Sequence, residues 1–236
     1  MPKKQKNSSN NGLTSSFDLF NQSSAAVRRN LKVFVVLYIP GLLSALSSFQ
    51  KKSKDQSTFA TISDNLSGLP VSSLVVLGAA TALLVAVFMV VAVLYQTALF
   101  GLELESSKGK QATYAQLWKL AKKYALRLLG LGIVAGGFIV LGLALFIVPG
   151  LILIRRYFLA PYAMVDKDMG IMEAMRYSAE LSKPYSGYIW GVIGVTILIA
   201  VTNIVPIFGA LIALVLSVLY SVAPALRYQE LKKLHS

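Results

Sequence analysis

The chain of 236 residues contains no cysteine and one histidine, His235, next to its C-terminus. Without thiols it has no disulfide, thiolate zinc site or iron–sulfur cluster to build on. With one terminal imidazole, neither a histidine metal site nor a Ser-His-Asp triad has its base. Charge is scarce as well, at 14% of residues, against about a quarter in soluble domains. No Gly-x-x-x-x-Gly-Lys-Ser/Thr phosphate loop and no His-Glu-x-x-His pair occurs, and these are the arrangements that cradle phosphate or hold zinc. Carboxylates do not cluster within the apolar runs. Glu103 and Glu105 stand near the end of one, and Asp166 and Asp168 lie in a loop. Hydrolysis, phosphoryl transfer and proton pumping therefore lack their residues. The expectation is a protein that is not an enzyme and uses no metal or cofactor.

What the chain has is apolar length. Hydrophobic residues make up 56% of it, and its mean hydropathy is +0.64. Runs of that kind are solvated by a bilayer, and backbone crossing one must pair its own hydrogen bonds as helix. The predicted class is an all-α polytopic membrane helix bundle, with about six transmembrane helices and two cytoplasmic interfacial amphipathic helices. Spans are expected over residues 33–49, within 71–100, and over 126–147, 151–165, 187–204 and 210–225. Residues 1–30 read as a basic disordered or interfacial tail, with 17–27 able to dock at the interface. Residues 31–225 form the membrane domain, and 226–236 form a cytoplasmic extension. The charged stretch before the first span is too long for a secretory signal, so that span is expected to stay uncleaved.

The net charge of +13 points here to lipid headgroups rather than nucleic acid, because cytoplasmic loops of membrane proteins collect Lys and Arg. With six spans, eighteen Lys and Arg fall on the side of both termini and three, Lys51, Lys52 and Lys54, on the other. That asymmetry puts both termini in the cytoplasm of a multi-pass cell-membrane protein. Its expected partners are membrane lipids with anionic headgroups.

Residues 113–128 alternate with helical period. Tyr114, Leu117, Trp118, Ala121, Tyr124, Ala125 and Leu128 lie on one face, and Lys119, Lys122, Lys123 and Arg127 on the other. Thr113 with Gln116 fits a capping box. The helix is expected to lie along the cytoplasmic headgroups, as an elbow before the third span or a lipid contact. A second such helix is expected over 171–183, with Asp168 as N-cap and Pro184 as its stop. Glu173, Arg176, Glu180 and Lys183 could pair along its exposed face. Ile171, Ala174, Met175, Ser178 and Ala179 form a narrow face suited to packing on protein. The triplets Ile147-Val148-Pro149 and Ile204-Val205-Pro206 stand 57 positions apart, and the same shift brings Thr113 onto Gly170. Taken as a repeat, this would give parallel units of interfacial helix, span, Pro turn and span; the alternative is chance or convergent turn chemistry. Gly132-x-x-x-Gly136, Gly187-x-x-x-Gly191 and the ridge Gly209, Ala213, Ser217 and Ser221 offer close helix approach.

Arg155 and Arg156 are the anomaly, two cations within an otherwise apolar stretch that begins with the turn signal Val148-Pro149-Gly150. Ionised groups in hydrocarbon face protein, water or an interface. Adjacent helical positions diverge by about 100°, so one arginine is expected to snorkel to the outer interface. The other would turn inward toward carbonyls or a phosphate, which makes the pair a candidate anion or lipid-headgroup site; the alternative is that both snorkel and serve only as anchors.

The pattern over 147–183 combines Pro149, Gly150, the arginines, Asp166, Glu173, Ala174, Ser178 and Lys183. It resembles uncharacterised bacterial six-span proteins, themselves similar to the membrane domain of some glycerophosphodiester phosphodiesterases. The resemblance implies a multispan domain of unknown biochemical role. The phosphodiesterase catalytic residues are missing from this sequence, so that activity does not follow. The expected function is a membrane-organising or lipid- or partner-contacting protein, with a small transporter or channel for an anionic solute or lipid as the alternative.

Overall fold

The computed structural model describes residues 13–47, 70–202 and 209–235. Among them the chain is all-helical. The helices are α1 (Asp18–Arg29), α2 (Leu31–Ser47), α3 (Val71–Ser107), α4 (Tyr114–Leu145), α5 (Ile147–Tyr157), α6 (Ala160–Lys167), α7 (Ile171–Ser182), α8 (Ser186–Val201), α9 (Gly209–Tyr220) and α10 (Ala223–His235). Four helical stretches are long and apolar enough to cross a membrane: Val71–Ser107, Tyr114–Leu145, Ile147–Lys167 and Gly209–His235. The α7–α8 pair, bent by 107°, makes a fifth if it is taken as one span, while α2 is a shorter apolar helix.

At 1.5 Å per residue, α3 and α4 run roughly 55 and 48 Å, well past a hydrocarbon core of ~30 Å. Their surplus length lies at one end, where it packs into a base. There α1, the last turns of α3, the first turns of α4, and α6, α7 and α10 meet around Leu102, Leu104, Leu159, Met164, Leu181 and Leu231, all 1% exposed or less. Buried Asn30, at the α1–α2 junction, ties two helices to the loop between α3 and α4. Its Nδ2 donates to Ser106 Oγ and to the Lys110 carbonyl, both at 3.0 Å, and its Oδ1 accepts from the Ala112 N–H at 2.9 Å.

Several expectations are corrected here. The first amphipathic segment is not a separate interfacial helix, because 113–128 and the third span form one unbroken helix, α4. Its apolar stripe explains this: Leu117, Ala121, Tyr124, Ala125 and Leu128 are buried on protein, and the stripe continues through Leu131 and Ala135. The capping box is present, with the Thr113 N–H donating to Gln116 Oε1 at 3.2 Å. The turn after α4 falls at Phe146, which is extended (φ −158, ψ 142). Pro149 and Gly150 instead lie in the first turn of α5, where a missing N–H costs little. Gly150 allows α4 and α5 to close as a hairpin. A Cβ there would sit 2.3 Å from Leu143 Cγ and 2.8 Å from its backbone N. The fourth span runs longer than expected, over Ile147–Lys167, with a local turn at Phe158–Leu159 between α5 and α6 and Pro161 in the first turn of α6.

The N-cap of α7 is Gly170 rather than Asp168, and the Gly170 N–H donates to Glu173 Oε2 at 3.4 Å. The narrow face of α7 does pack, with Ala174, Met175 and Ser178 buried. The charge pairs expected along its exposed face do not form among the described residues. From Leu13 onward the N-terminal segment belongs to the packed base, since Leu13 and Leu19 are buried. The C-terminal helix is equally embedded, through Arg227, Tyr228 and Leu231. Gly191 supports a close approach, its Cβ position lying 2.2 Å from Ser16 Oγ, whereas Gly132, Gly136 and Gly187 face open space. The second repeat turn, Ile204-Val205-Pro206, lies outside the described residues.

Candidate functional site

The base holds its acids in ion pairs and hydrogen bonds. Asp166, at the end of α6, accepts Lys108 Nζ at 2.8 Å and also Lys232 Nζ. Tyr228 donates to the same carboxylate at 3.0 Å. One motif residue thus clamps α6 to the loop after α3 and to α10. Burial alone would lower the Lys108 ammonium, but the Asp166 and Glu105 carboxylates beside it outweigh that and hold it above its ordinary value. Asp168 adopts the left-handed conformation (φ 55) that ends α6. It accepts Lys123 Nζ at 2.8 Å and Arg127 Nη1 at 2.7 Å. Its carboxyl is held below the usual carboxylate range, first by the Lys123 hydrogen bond and then by Tyr124.

Two further groups in the base carry no sequence signal. Tyr162, buried in α6, donates to Glu103 Oε2 at 2.7 Å. The Arg227 side chain is fully buried. It donates to the Thr14 carbonyl and to Glu230, each at 2.7 Å, and stands over the Tyr188 ring at 5.3 Å. Glu230 lies three positions from Arg227 on the same helix, but Glu103 and Tyr162 are 59 positions apart and Thr14 and Arg227 are 213 apart, and no local pattern joins those.

Arg155 and Arg156 are placed differently. Both are half-buried on α5, roughly 12–14 Å along the helix from Ile147. The Nε atoms of both are buried without a hydrogen-bond partner, and neither side chain pairs with a carboxylate among the described residues. Ser178 Oγ donates to the Arg156 carbonyl at 2.6 Å, joining α5 to α7. That contact sets the arginines against α7, the helix whose exposed face carries Glu173, Arg176 and Glu180. The hairpin tip offers them no polar group, as Phe146, Ile147 and Val148 are 73%, 71% and 66% exposed and wholly apolar.

The remaining expected site residues are dispersed. Pro149 and Gly150 shape the hairpin, Glu173 caps α7, and Ala174 is a packing contact. Lys183 is exposed at the end of α7. Of the interfacial lysines, Lys123 is engaged by Asp168. Lys119 and Lys122 are exposed without a carboxylate among the described residues, and Lys122 stands 4.9 Å from the Trp118 ring centroid. Above them a cleft of about 470 Å³ opens between α3 and α4.

A family model described as "Uncharacterised protein family (UPF0259)" matches residues 33–231, and the chain belongs to that family. No curated protein and no solved structure matches it.

Proposed function

We propose that this UPF0259 member is a multi-pass protein of the bacterial plasma membrane that organises lipid or partner proteins and does not catalyse a reaction. The observation that carries this reading is a charge imbalance. Asp166, Asp168, Glu103 and Glu230 are engaged within the base, while Arg155 and Arg156 keep buried Nε atoms without a partner among the described residues. A guanidinium in apolar surroundings suits bidentate contact with a phosphate oxygen pair, and lipid headgroups supply one. Six spans with both termini cytoplasmic follow from counting α2 and α8 as crossings, supported by the distribution of Lys and Arg.

A small transporter or channel for an anionic solute or lipid is the alternative, favoured by the same arginine pair. It requires a continuous polar path, and the described apolar helices offer few polar groups beyond Gln96, Thr196 and Thr202. The test uses full-length protein in nanodiscs of mixed phosphatidylglycerol and phosphatidylcholine, with retained lipid identified by mass spectrometry. Arg155→Gln with Arg156→Gln is expected to lower phosphatidylglycerol retention while the fold persists. Unchanged retention in that double variant sinks the reading, and solute flux lost in it would favour the alternative.

A further inference from the structure

We propose that the cleft between α3 and α4 binds an anionic phospholipid of the cytoplasmic leaflet, with an acyl chain in the cleft, the ester region at Gln96 and the phosphate at Lys119 and Lys122. The proposal rests on the membrane-spanning reading of the chain and not on the arginine site.

The cleft is walled by two of the helices long enough to cross a membrane, so it opens onto lipid. Its lining is apolar, with Phe100, Leu129, Gly132 and Ile133 among the side chains, and carries Gln96 and Tyr157 as its larger polar groups. A Cβ at Gly132 would meet nothing within 4 Å. The small-residue surface that predicted a tight helix contact instead leaves room within the chain. A concave slot of this kind suits a flexible chain better than a helix about 10 Å across.

The depth of each group matches a phospholipid. At the inner end of the cleft, Leu128 follows directly after Arg127, which is ion-paired with half-exposed Asp168 at the polar rim. Gln96 stands four residues outward of Phe100, roughly 6 Å along the axis. That is the side on which ester carbonyls follow the phosphates. The Gln96 amide has no hydrogen-bond partner among the described residues and can donate to such a carbonyl.

Below the cleft, Lys119, Lys122, Leu126, Leu129 and Ile133 recur at spacings of three and four, which puts them on one face of α4. Leu126 and Ile133 are 84% and 67% exposed. The two lysines lack a carboxylate among the described residues, and exposed Trp118 beside them is the residue type that favours the headgroup level. One stripe therefore offers two cations, then an apolar lip, then the slot.

The test takes the full-length protein in detergent after delipidation. It is titrated with phosphatidylglycerol and, separately, with phosphatidylcholine of the same chains, and bound lipids are counted by native mass spectrometry. Tighter binding of phosphatidylglycerol is expected. Lys119→Gln with Lys122→Gln should bring it down toward phosphatidylcholine, roughly fivefold per lysine. Gly132→Leu, which fills the slot, should weaken both lipids by about tenfold or more.

A folded Gly132→Leu that keeps its lipid overturns the proposal, as does a lysine double variant with an unchanged lipid preference. The surface lysines decide alone if Gly132→Leu fails to fold. Competition by glycerol phosphate as strong as by phosphatidylglycerol would mean a headgroup-only site, and loss of a dimer in Gly132→Leu would mean a partner helix in the slot. Either result also overturns it. If only the Arg155→Gln, Arg156→Gln pair changes retention, the cleft fails and the proposed function stands. If only the cleft variants do, the reverse holds.

Discussion

Helix α3 passes through both regions of the molecule. Over residues 71–92 every side chain is exposed, Leu83, Leu84 and Phe88 at 67%, 70% and 74% among them. From Thr97 to Ser106 the same helix buries Thr97, Ala98, Leu99, Gly101, Leu102, Leu104 and Ser106. The polar contacts divide the same way. In the base they join distant segments, as Asn30 with Ser106 or Asp166 with Tyr228. In the outer half they are largely local, as Thr81 to the Leu77 carbonyl and Thr196 to the Val192 carbonyl. Tyr95, which donates to the Leu37 carbonyl at 2.6 Å, marks the transition. In water, apolar area must be buried and polar groups paired. In lipid, leucine gains nothing from meeting leucine rather than an acyl chain. The base is where the chain holds itself together by its own contacts, and the outer half leaves most of its surface to the surrounding medium.

The sharpest way to break this comparison is one substitution made twice on α3. Leu102 is fully buried and Leu84 is 70% exposed. Leu102→Ala leaves a cavity in the base and should cost ~2–5 kcal/mol. Leu84→Ala should stay within about 0.5 kcal/mol. Denaturant unfolding of both variants in one lipid composition measures the difference. Equal losses would mean that the outer half is packed against something in the membrane, and the contrast would collapse.

The next test concerns polar pairing. Asn30→Ala removes three hydrogen bonds and leaves the Ala112 N–H and the Lys110 carbonyl without their partner. The expected cost is about 2–3 kcal/mol, because a buried group left unpaired loses more than a typical bond contributes. Thr81→Ala, in the outer half, removes a hydroxyl that bonds only its own helix and should change stability little. Thermal unfolding of the two variants side by side checks the ranking.

The division between regions was only partly legible in the sequence. The apolar runs and the helical period of 171–182 were readable because both follow from local spacing, and Ala174, Met175 and Ser178 are buried as their face predicted. The boundary within α3 was not readable, since leucine, valine and alanine serve equally well against lipid and against protein. Pro149-Gly150 signalled a turn, yet the chain turns at Phe146 and uses the glycine for a close approach, which depends on the partner helix and not on the dipeptide. The Asp166–Lys232 clamp and the buried Arg227 depend on three-dimensional neighbours that spacing along the chain does not reveal. The cleft escaped for a related reason. Gly132-x-x-x-Gly136 shows where helices are able to approach, but not whether one does.

The smallest expected effect sharpens the edge of the base, where α6 meets α4. Asp168, Lys123 and Arg127 are each about half exposed, and water screens such pairs strongly. The effect should therefore fall below both preceding ones. The carboxyl is depressed in the folded protein, so its contribution is present above the ordinary aspartate value of about 4 and is lost as pH falls through the folded value. Asp168→Asn isolates the charge, because asparagine tolerates the left-handed backbone as well as aspartate does. At neutral pH the variant should unfold slightly more easily than the parent. The gap should close as pH drops below 4, and it should also narrow in 1 M salt, where the screening length is about 3 Å. A gap that persists unchanged at low pH would mean that Asp168 acts through its backbone turn, and that the rim of the base is shaped by conformation and not by its ion pairs.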